Sequence, residues 1–459
     1  MPPTSQQSKS LDEIAASLLA DRGLELVSCK TVQSLWAGYG HICRVQARLS
    51  GAKKEKEEEE PLSLVLKYIS PPATKKRDDE GHLRKILSYQ VEQHFYAHLA
   101  PRLSGFGGDG GGDDDGVTVA ECLGSVHDGA TTALLLRDLQ REVPSAYQPC
   151  FEQSSSASAV TAEPEQETVK AAAPPFPLAL EKRGVLTPDL VGAALDWLAG
   201  FHGFFWRDEE KTRYYKDAEH LVPPPLEFAA AASQARSNSG NGGAPAVVHG
   251  VWQNGGYTYL ATRRSEYASL EEDDDSEWSE ALCCQSSSFS SSSSGDRSVA
   301  EQAAYYVSPA HPAAGPYATL IHGDVKSENM FGRSGSSSAA ARVAFFDFQY
   351  VGLGLGVCDL AKLFTCSVPV SMLVSSRSVP SSLDMQEGEW ALLKRYLARL
   401  EAVSGKKYPW DVFVAHWEAA LVDWLRFQAS WGFWGNTEWL EARVRDILSR
   451  GKAETWGEP

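Results

Sequence analysis

No run among the 459 residues is long and apolar enough to span a bilayer, and residues 1–10 lack the apolar core of a secretory signal. No C-x-x-C pair occurs among the eight cysteines (Cys29, Cys43, Cys122, Cys150, Cys283, Cys284, Cys358 and Cys366), which argues against a zinc site. Cysteines scattered through a large chain with no secretory signal predict reduced thiols and a cytoplasmic setting. Positive charge is in short supply. Lys and Arg number 43 against 60 Asp and Glu, a net charge of −17. That balance argues against a nucleic-acid or anionic-membrane partner, which would call for a basic face. The acidic runs 57–60 and 271–275 read as solvated loops. The length and a hydrophobic fraction of 43% suit two lobes with a sizeable core and room for insertions.

What is present centres on two stretches. Residues 320–331 run Leu-Ile-His-Gly-Asp-Val-Lys-Ser-Glu-Asn-Met-Phe, and residues 343–349 run Val-Ala-Phe-Phe-Asp-Phe-Gln. Asp324 follows an apolar strand end, where a carboxylate can orient a hydroxyl and take its proton. Asn329, five residues on, offers a neutral oxygen, and Asp347 an anionic one. Oxygen ligands of this kind suit magnesium, which keeps several waters and phosphate oxygens. Met330-Phe331 and 343–346 are expected to pair as a hairpin, bringing Asn329 and Asp347 to one end. Lys326 is placed to touch a γ-phosphate, and His322 to brace the loop. The chemistry such a set supports is phosphoryl transfer from ATP with Mg2+, which asks the protein for alignment and charge neutralisation.

Upstream, residues 11–20 carry apolar residues at helical spacing. Cys43, Val45, Ala47 and Leu49 alternate as a half-buried strand after Gly38 and Gly40. Strand, glycine turn and strand let backbone N–H groups approach a phosphate, although an ordinary hairpin turn has the same signature. Residues 62–69 read as a strand with Lys67 opposite Leu64 and Leu66; an edge-strand lysine reaching to solvent would look alike. Leu83, Leu87, Val91, Phe95 and Leu99 make a helical stripe. Glu92 sits beside that stripe, a surface position unless it reaches back to Lys67. Residues 117–123 and 132–136 read as strands leading to Asp138 and Leu139, a hinge whose backbone can meet an adenine edge.

Low-complexity insertions are expected near 105–116, 148–175, 229–243 and 270–296. His202 is expected to be a core histidine satisfied by a backbone carbonyl. Residues 250–259 make an aromatic turn that either packs the core or meets substrate. The C-terminal region is helical, with Phe413, Trp417, Leu421, Trp424 and Leu425 on one face. The same choice between pocket and core applies to Asp423, Arg426 and the tryptophans 424, 431, 434 and 439.

His322-Gly323-Asp324-x-x-x-x-Asn329 followed by Asp347-Phe348-Gln349 resembles the aminoglycoside phosphotransferase and choline kinase superfamily, and within it the ecdysteroid-kinase-like group of small-molecule kinases. Ser88-Tyr89-Gln90-Val91-Glu92 with Phe95-Tyr96, Leu136-Arg137-Asp138-Leu139 and Asp359 add to the resemblance. It implies an α+β, protein-kinase-like two-lobed fold. The N-lobe (1–138) would be a five-stranded antiparallel sheet with one helix, and the C-lobe (139–459) mostly helical. It further implies Asp324 as base, Asn329 and Asp347 as magnesium ligands, Lys67 and Glu92 as the phosphate-positioning pair, and the Gly38–Gly40 turn as nucleotide cover. Three positions depart from the pattern: Cys43 stands for a third glycine, Lys326 is a protein-kinase feature, and Arg137 replaces the usual acid.

Only eleven residues separate Asp347 from Asp359, and no Ala-Pro-Glu follows. That leaves little for a peptide-binding segment and points to a hydroxyl of a small molecule as acceptor. Two further readings stay open: a choline or ethanolamine kinase using a tryptophan cage, and a kinase-like scaffold, normally marked by loss of residues that this chain keeps. The sequence does not fix the oligomeric state.

Overall fold

The computed structural model describes residues 10–51, 60–72, 79–103, 117–127, 132–152, 175–180, 184–207, 220–239, 248–284, 297–337, 339–451 and 456. The chain is α+β and divides into two compact units, Met1–Leu178 with Ala232–Val248 and Ala179–Ala231 with His249–Pro459.

The first unit is built on alternation. Strands β1 (Leu24–Ser34), β2 (Gly40–Leu49), β3 (Leu62–Ile69), β4 (Cys122–His127) and β5 (Thr132–Arg137) form an antiparallel sheet in the order β1-β2-β3-β5-β4. Cys43, Val45, Ala47, Leu62, Leu64 and Leu66 share one face of it. They pack under helix α1 (Leu11–Ala20), which contributes Ile14, Leu18 and Leu19. A capping box opens α1: the Ser10 hydroxyl accepts from the Glu13 N–H, and Glu13 reaches back to the Ser10 N–H. Helix α2 (Glu80–His94) starts at Asp79, whose carboxylate accepts the His82 N–H. It runs on through a wider turn at Phe95–Leu99. The expected strand at 117–123 is displaced to 122–127. Pairing with β5 decides its extent, and Leu18 of α1 lies over Gly124, 3.2 Å from where a Cβ would stand. Tertiary packing here outweighs local strand preference.

The second unit is helical around small sheets. Helix α3 (Pro188–Trp206) is buried on nearly all sides. It lies against a later helix, Glu387–Ser404, through Gly192 and Gly203; a Cβ at Gly203 would meet Val403 at 2.6 Å. Residues 229–243, expected as an insertion, fall partly in helix α4 (Pro225–Ser239), whose residues from Ala232 on are counted with the first unit; the run of alanines from Ala229 to Ala232 is a strong helix former. Residues 270–284 likewise hold the end of α5 (Arg264–Glu271) and all of α6 (Glu277–Cys283), with Trp278 and Leu282 buried. The insertions at 105–116, at 153–174 and at 285–296 lie outside the described residues.

Four short strands, β7 (Leu221–Val222), β8 (Val251–Trp252), β9 (Thr319–Ile321) and β12 (Gly352–Gly354), form one sheet in the order β7-β8-β12-β9. Strands β6 (Leu178–Ala179), β10 (Met330–Arg333) and β11 (Arg342–Phe345) form another. Helices α7 (Val299–Tyr306), α8 (Gly356–Cys366), α9 (Glu387–Ser404), α10 (Trp410–Trp431) and α11 (Thr437–Ser449) complete the unit. Phe413, Trp417, Leu421, Trp424 and Leu425 of α10 are all buried, as their spacing predicts. A buried ion pair, Arg443 to Glu389 at 2.9 Å, ties α11 to α9, and the Trp417 indole N–H donates to the same carboxylate. Among the described residues no helix is long and apolar enough to cross a membrane, and all eight cysteines are free thiols.

Candidate functional site

In the first unit, Lys67 leaves the face of β3 opposite the apolar cluster, and β3 is flanked by β2 and β5. The lysine therefore has no edge by which to reach solvent. Its Nζ lies 2.6 Å from Glu92 Oε2 on α2, with the side chains 8% and 2% exposed. Glu92 is thus a buried ion-pair partner and not a surface residue. Tyr89, one turn before Glu92, sets its ring 5.5 Å from the same ammonium. Lys67→Met is expected to destabilise the chain by about 3–5 kcal/mol, because a buried carboxylate loses its counter-charge. Denaturant unfolding measures this, and Lys67→Met with Glu92→Leu should recover most of the loss. A double variant as unstable as the single one would show that packing, not charge, sets the cost.

The turn before β2 is shaped by Ala37 at φ 55°, Gly38 at φ 74° and Gly40 at φ 142°. A Cβ at Gly40 would stand 2.0 Å from the Tyr68 carbonyl oxygen, so β3 itself requires glycine there. Tyr39 is buried, and its hydroxyl meets His82 Nδ1 at 2.7 Å, which ties the turn to the start of α2. Cys43 is buried in the sheet core, away from this turn. The Asp138 carboxylate accepts from the Ser63 hydroxyl at 2.8 Å and the Gln140 N–H at 3.0 Å, with Arg44 at 3.6 Å. The Leu139 carbonyl accepts the Phe176 N–H at 2.8 Å. Asp138 therefore braces the segment after β5 with its side chain.

In the second unit, β10 and β11 pair antiparallel with Met330 opposite Phe345 and Arg333 opposite Arg342. The Phe346 N–H donates to the Asn329 carbonyl at 3.0 Å, which closes the hairpin at the end that carries Asn329 and Asp347. Asn329 Nδ2 donates to the Asp324 carbonyl at 2.8 Å and to Asp324 Oδ2 at 3.0 Å, leaving Oδ1 as the acceptor atom of that amide. Asp347 sits in the left-handed region, φ 67°, where an aspartate is tolerated better than a bulky residue. Gln349 donates to its Oδ1 at 2.5 Å. Lys326 Nζ lies 2.9 Å from Asp324 Oδ2 and 3.7 Å from Glu328. Burial disfavours this ammonium, yet the fields of Asp324, Glu328 and Asp347 prevail and raise its pKa, so it stays charged.

His322 is fully buried. Its Nδ1 accepts the Asp324 N–H at 3.3 Å and its Nε2 donates to the Phe346 carbonyl at 3.0 Å. One ring nitrogen donates and the other accepts, as in a neutral imidazole. Burial accordingly lowers its pKa. His322 links the loop of Asp324 to the strand before Asp347.

The loop itself is held from behind. Asp359, in the first turn of α8, accepts the His322 N–H at 2.7 Å, the Gly323 N–H at 2.9 Å and His202 Nε2 at 3.1 Å. Burial works against its charge, but the hydrogen bond from His202 and the fields of His202 and Lys362 outweigh it and hold the carboxyl below the usual range. His202 Nδ1 meets the Tyr396 hydroxyl at 2.8 Å, so the expected carbonyl partner is replaced by a Tyr396–His202–Asp359 chain. The sequence gives no sign of Tyr396, which lies nearly two hundred residues from His202. Gly323 has φ 86°, and a Cβ on it would meet the Tyr350 carbonyl at 2.3 Å. Its carbonyl accepts the Tyr257 N–H at 3.0 Å, and Arg263 donates twice to the Tyr257 carbonyl. The Trp252 indole N–H donates to the Gln349 carbonyl at 2.8 Å. The aromatic turn at 250–259 is therefore the floor of the loop that carries Asp324.

Among the described residues no group of three or more His, Cys, Asp or Glu side chains is arranged around a metal position. Asn329 and Asp347 supply two oxygen donors at the hairpin end, a sparse set of the kind that magnesium shares with phosphate oxygens and water.

Residues 291–378 match the model of the Ecdysteroid kinase-like family. No curated protein matches the chain in sequence. Among solved structures, a GDP complex of an aminoglycoside 2′-phosphotransferase is similar at 13% identity and a TM-score of 0.37, over 98% of this chain and 96% of that one. Choline kinase from Cryptosporidium parvum Iowa II is similar at 10% identity and 0.33, over 95% and 88%. An AMP-bound spectinomycin phosphotransferase is similar at 9% and 0.30, over 97% and 95%. These scores are low, and the reading of the site rests on its residues and geometry. The segment that carries Asp324, Asn329 and Asp347 lies within the residues matched by the family model.

Proposed function

We propose that the chain is a small-molecule kinase, transferring the γ-phosphate of ATP to a hydroxyl group. The observation that carries this reading is the convergence of Asp324, Asn329 and Asp347 on one end of the β10–β11 hairpin, with Asp324 in a loop whose backbone Asp359 fixes. Asp324 accepts the acceptor's hydroxyl proton as its oxygen bonds to phosphorus and the bond to the β-phosphate oxygen breaks. Lys326, held charged beside Asp324, faces the charge of the transferred group. Asn329, its amide turned by two hydrogen bonds to Asp324, presents Oδ1, and Asp347 presents a carboxylate, to Mg2+. The metal, when bound, neutralises phosphate charge. Lys67, aligned by Glu92, is the proposed partner of the α- and β-phosphates.

The course of the chain after Asp347 favours a small acceptor over a peptide. Residues 348–350 form one tight turn, β12 pairs at once with β9, and α8 begins at Gly356. A peptide-binding segment has no room there. The choline reading draws less support. Trp417 and Trp439 are core residues, the Asp423 carboxylate is paired with Arg426 at 2.7 Å, and Trp431 has the Arg263 guanidinium 5.3 Å from its ring.

Calorimetric titration with ATP tests the metal assignment. Affinity in the presence of Mg2+ should exceed that in its absence, and Asp347→Asn should weaken the magnesium-dependent part by at least about tenfold. A screen with labelled ATP against alcohols, amino alcohols, sterols and aminoglycosides then seeks the acceptor. No transfer to any of them, joined to no magnesium-dependent ATP binding, would favour the scaffold reading.

A further inference from the structure

A pocket in the second unit, backed by Ile321 of β9, is lined by Asn254, Ser308, Lys362, Asp423 and Trp424. Lys362 is only 5% exposed, yet it forms no hydrogen bond or salt bridge with any described residue. Its Nζ stands 3.6 Å from where a Cβ on Gly256 would lie and 5.9 Å from the centre of the Trp424 ring. An ammonium withdrawn from water without a hydrogen-bond acceptor is costly. Two carboxylates are near, and each takes its hydrogen bonds from other donors. Asp359, one turn earlier on α8, already accepts the His322 and Gly323 N–H groups and His202. Asp423 accepts two hydrogen bonds from Arg426, both at Oδ1, at 2.7 and 3.2 Å. Of the charged side chains that line the pocket, Asp423 is thus engaged by Arg426 from behind, and Lys362 has no hydrogen-bond partner among the described residues. Beside it, the Ser308 hydroxyl donates to Asn254 Oδ1 at 3.1 Å, which leaves the Asn254 NH2 group as a donor. Ile321, Leu353 and Trp424 add apolar surface, and Thr258 and Tyr259 are also in the lining.

We propose that this pocket binds a small organic anion, with an apolar or aromatic body against Trp424 and its carboxylate on Lys362. The assignment goes beyond phosphoryl transfer and stands whether or not that reading holds, because it concerns binding without nucleotide. A purely structural Lys362, present as a distant counter-charge to Asp359, would change stability when replaced but would set no preference for ligand charge.

Three probes of one shape and different charge separate these cases: benzoate, benzyl alcohol and benzylamine, titrated into the full chain by calorimetry with nucleotide absent. Benzoate is expected to bind at least about tenfold more tightly than either other probe, as a charge-assisted hydrogen bond provides. Lys362→Met should remove that preference, and Lys362→Arg should keep it. The probe series on the unaltered chain stands even if Lys362→Met fails to fold. Benzylamine binding as tightly as benzoate, absence of benzoate binding, or a folded Lys362→Met variant that keeps the preference would each overturn the proposal.

Discussion

Replacing Asp324 by alanine is expected to slow phosphoryl transfer by about 10²–10⁴-fold, the range for losing a positioned general base. The fold should survive. Asp324 is partly exposed, and its partner Lys326, more exposed still, keeps Glu328 within 3.7 Å. Its other partner, Asn329, retains the Asp324 main-chain carbonyl as acceptor at 2.8 Å. Asp324→Asn makes a sharper test, because it keeps the shape and removes only the charge. Activity should fall nearly as far as in the alanine variant if proton acceptance is the role, and much less if the side chain only spaces the loop. Release of labelled phosphate from ATP reads both variants, and thermal unfolding checks their integrity. Wild-type turnover in Asp324→Ala and Asp347→Ala together would show the site to be misassigned.

How much of this was legible in the sequence follows the reach of each interaction. The contact of Lys67 with Glu92 could be read because strand alternation and a stripe of every fourth residue each fix a facing direction. The hairpin carrying Asn329 and Asp347 was legible for the same reason. Interactions that depend on where the chain returns left no local trace. Tyr396 reaches His202 across 194 positions, and Asp359 acts on backbone N–H groups whose residue types do not matter to it. The position of β4 is not legible locally because its partner strand and Leu18 choose the register. Helix α4 is not legible because a small-residue composition fits helix and loop alike. Lys362 could not be singled out. Its significance lies in what its neighbours already hold, and Asp423 and Arg426 are distant in sequence.

Asp359→Ala should give the largest loss of stability of any substitution near the site. The carboxylate satisfies two backbone N–H groups and one imidazole N–H, all buried, and its removal leaves three donors without an acceptor. Each orphaned group costs about 1–3 kcal/mol. The effect should therefore stand well above the ~1 kcal/mol of an average substitution. Asn at this position does not rescue, because its NH2 group would face one of the three donors. The same carboxylate makes stability depend on pH. Its folded pKa lies below the ordinary aspartate value that the unfolded chain keeps, so the folded state holds the charged form more firmly than the unfolded chain does. The stability it contributes is fully present above that unfolded value and is lost as pH falls through the lower folded one. Denaturant unfolding at several pH values should show the gap between wild type and Asp359→Ala constant near neutrality and narrowing in acid below the unfolded pKa. A gap that widens in acid would mean that Asp359 is protonated in the folded chain. The Gly323 N–H would then lose a charged acceptor, and with it the reason why this loop holds Asp324 in place.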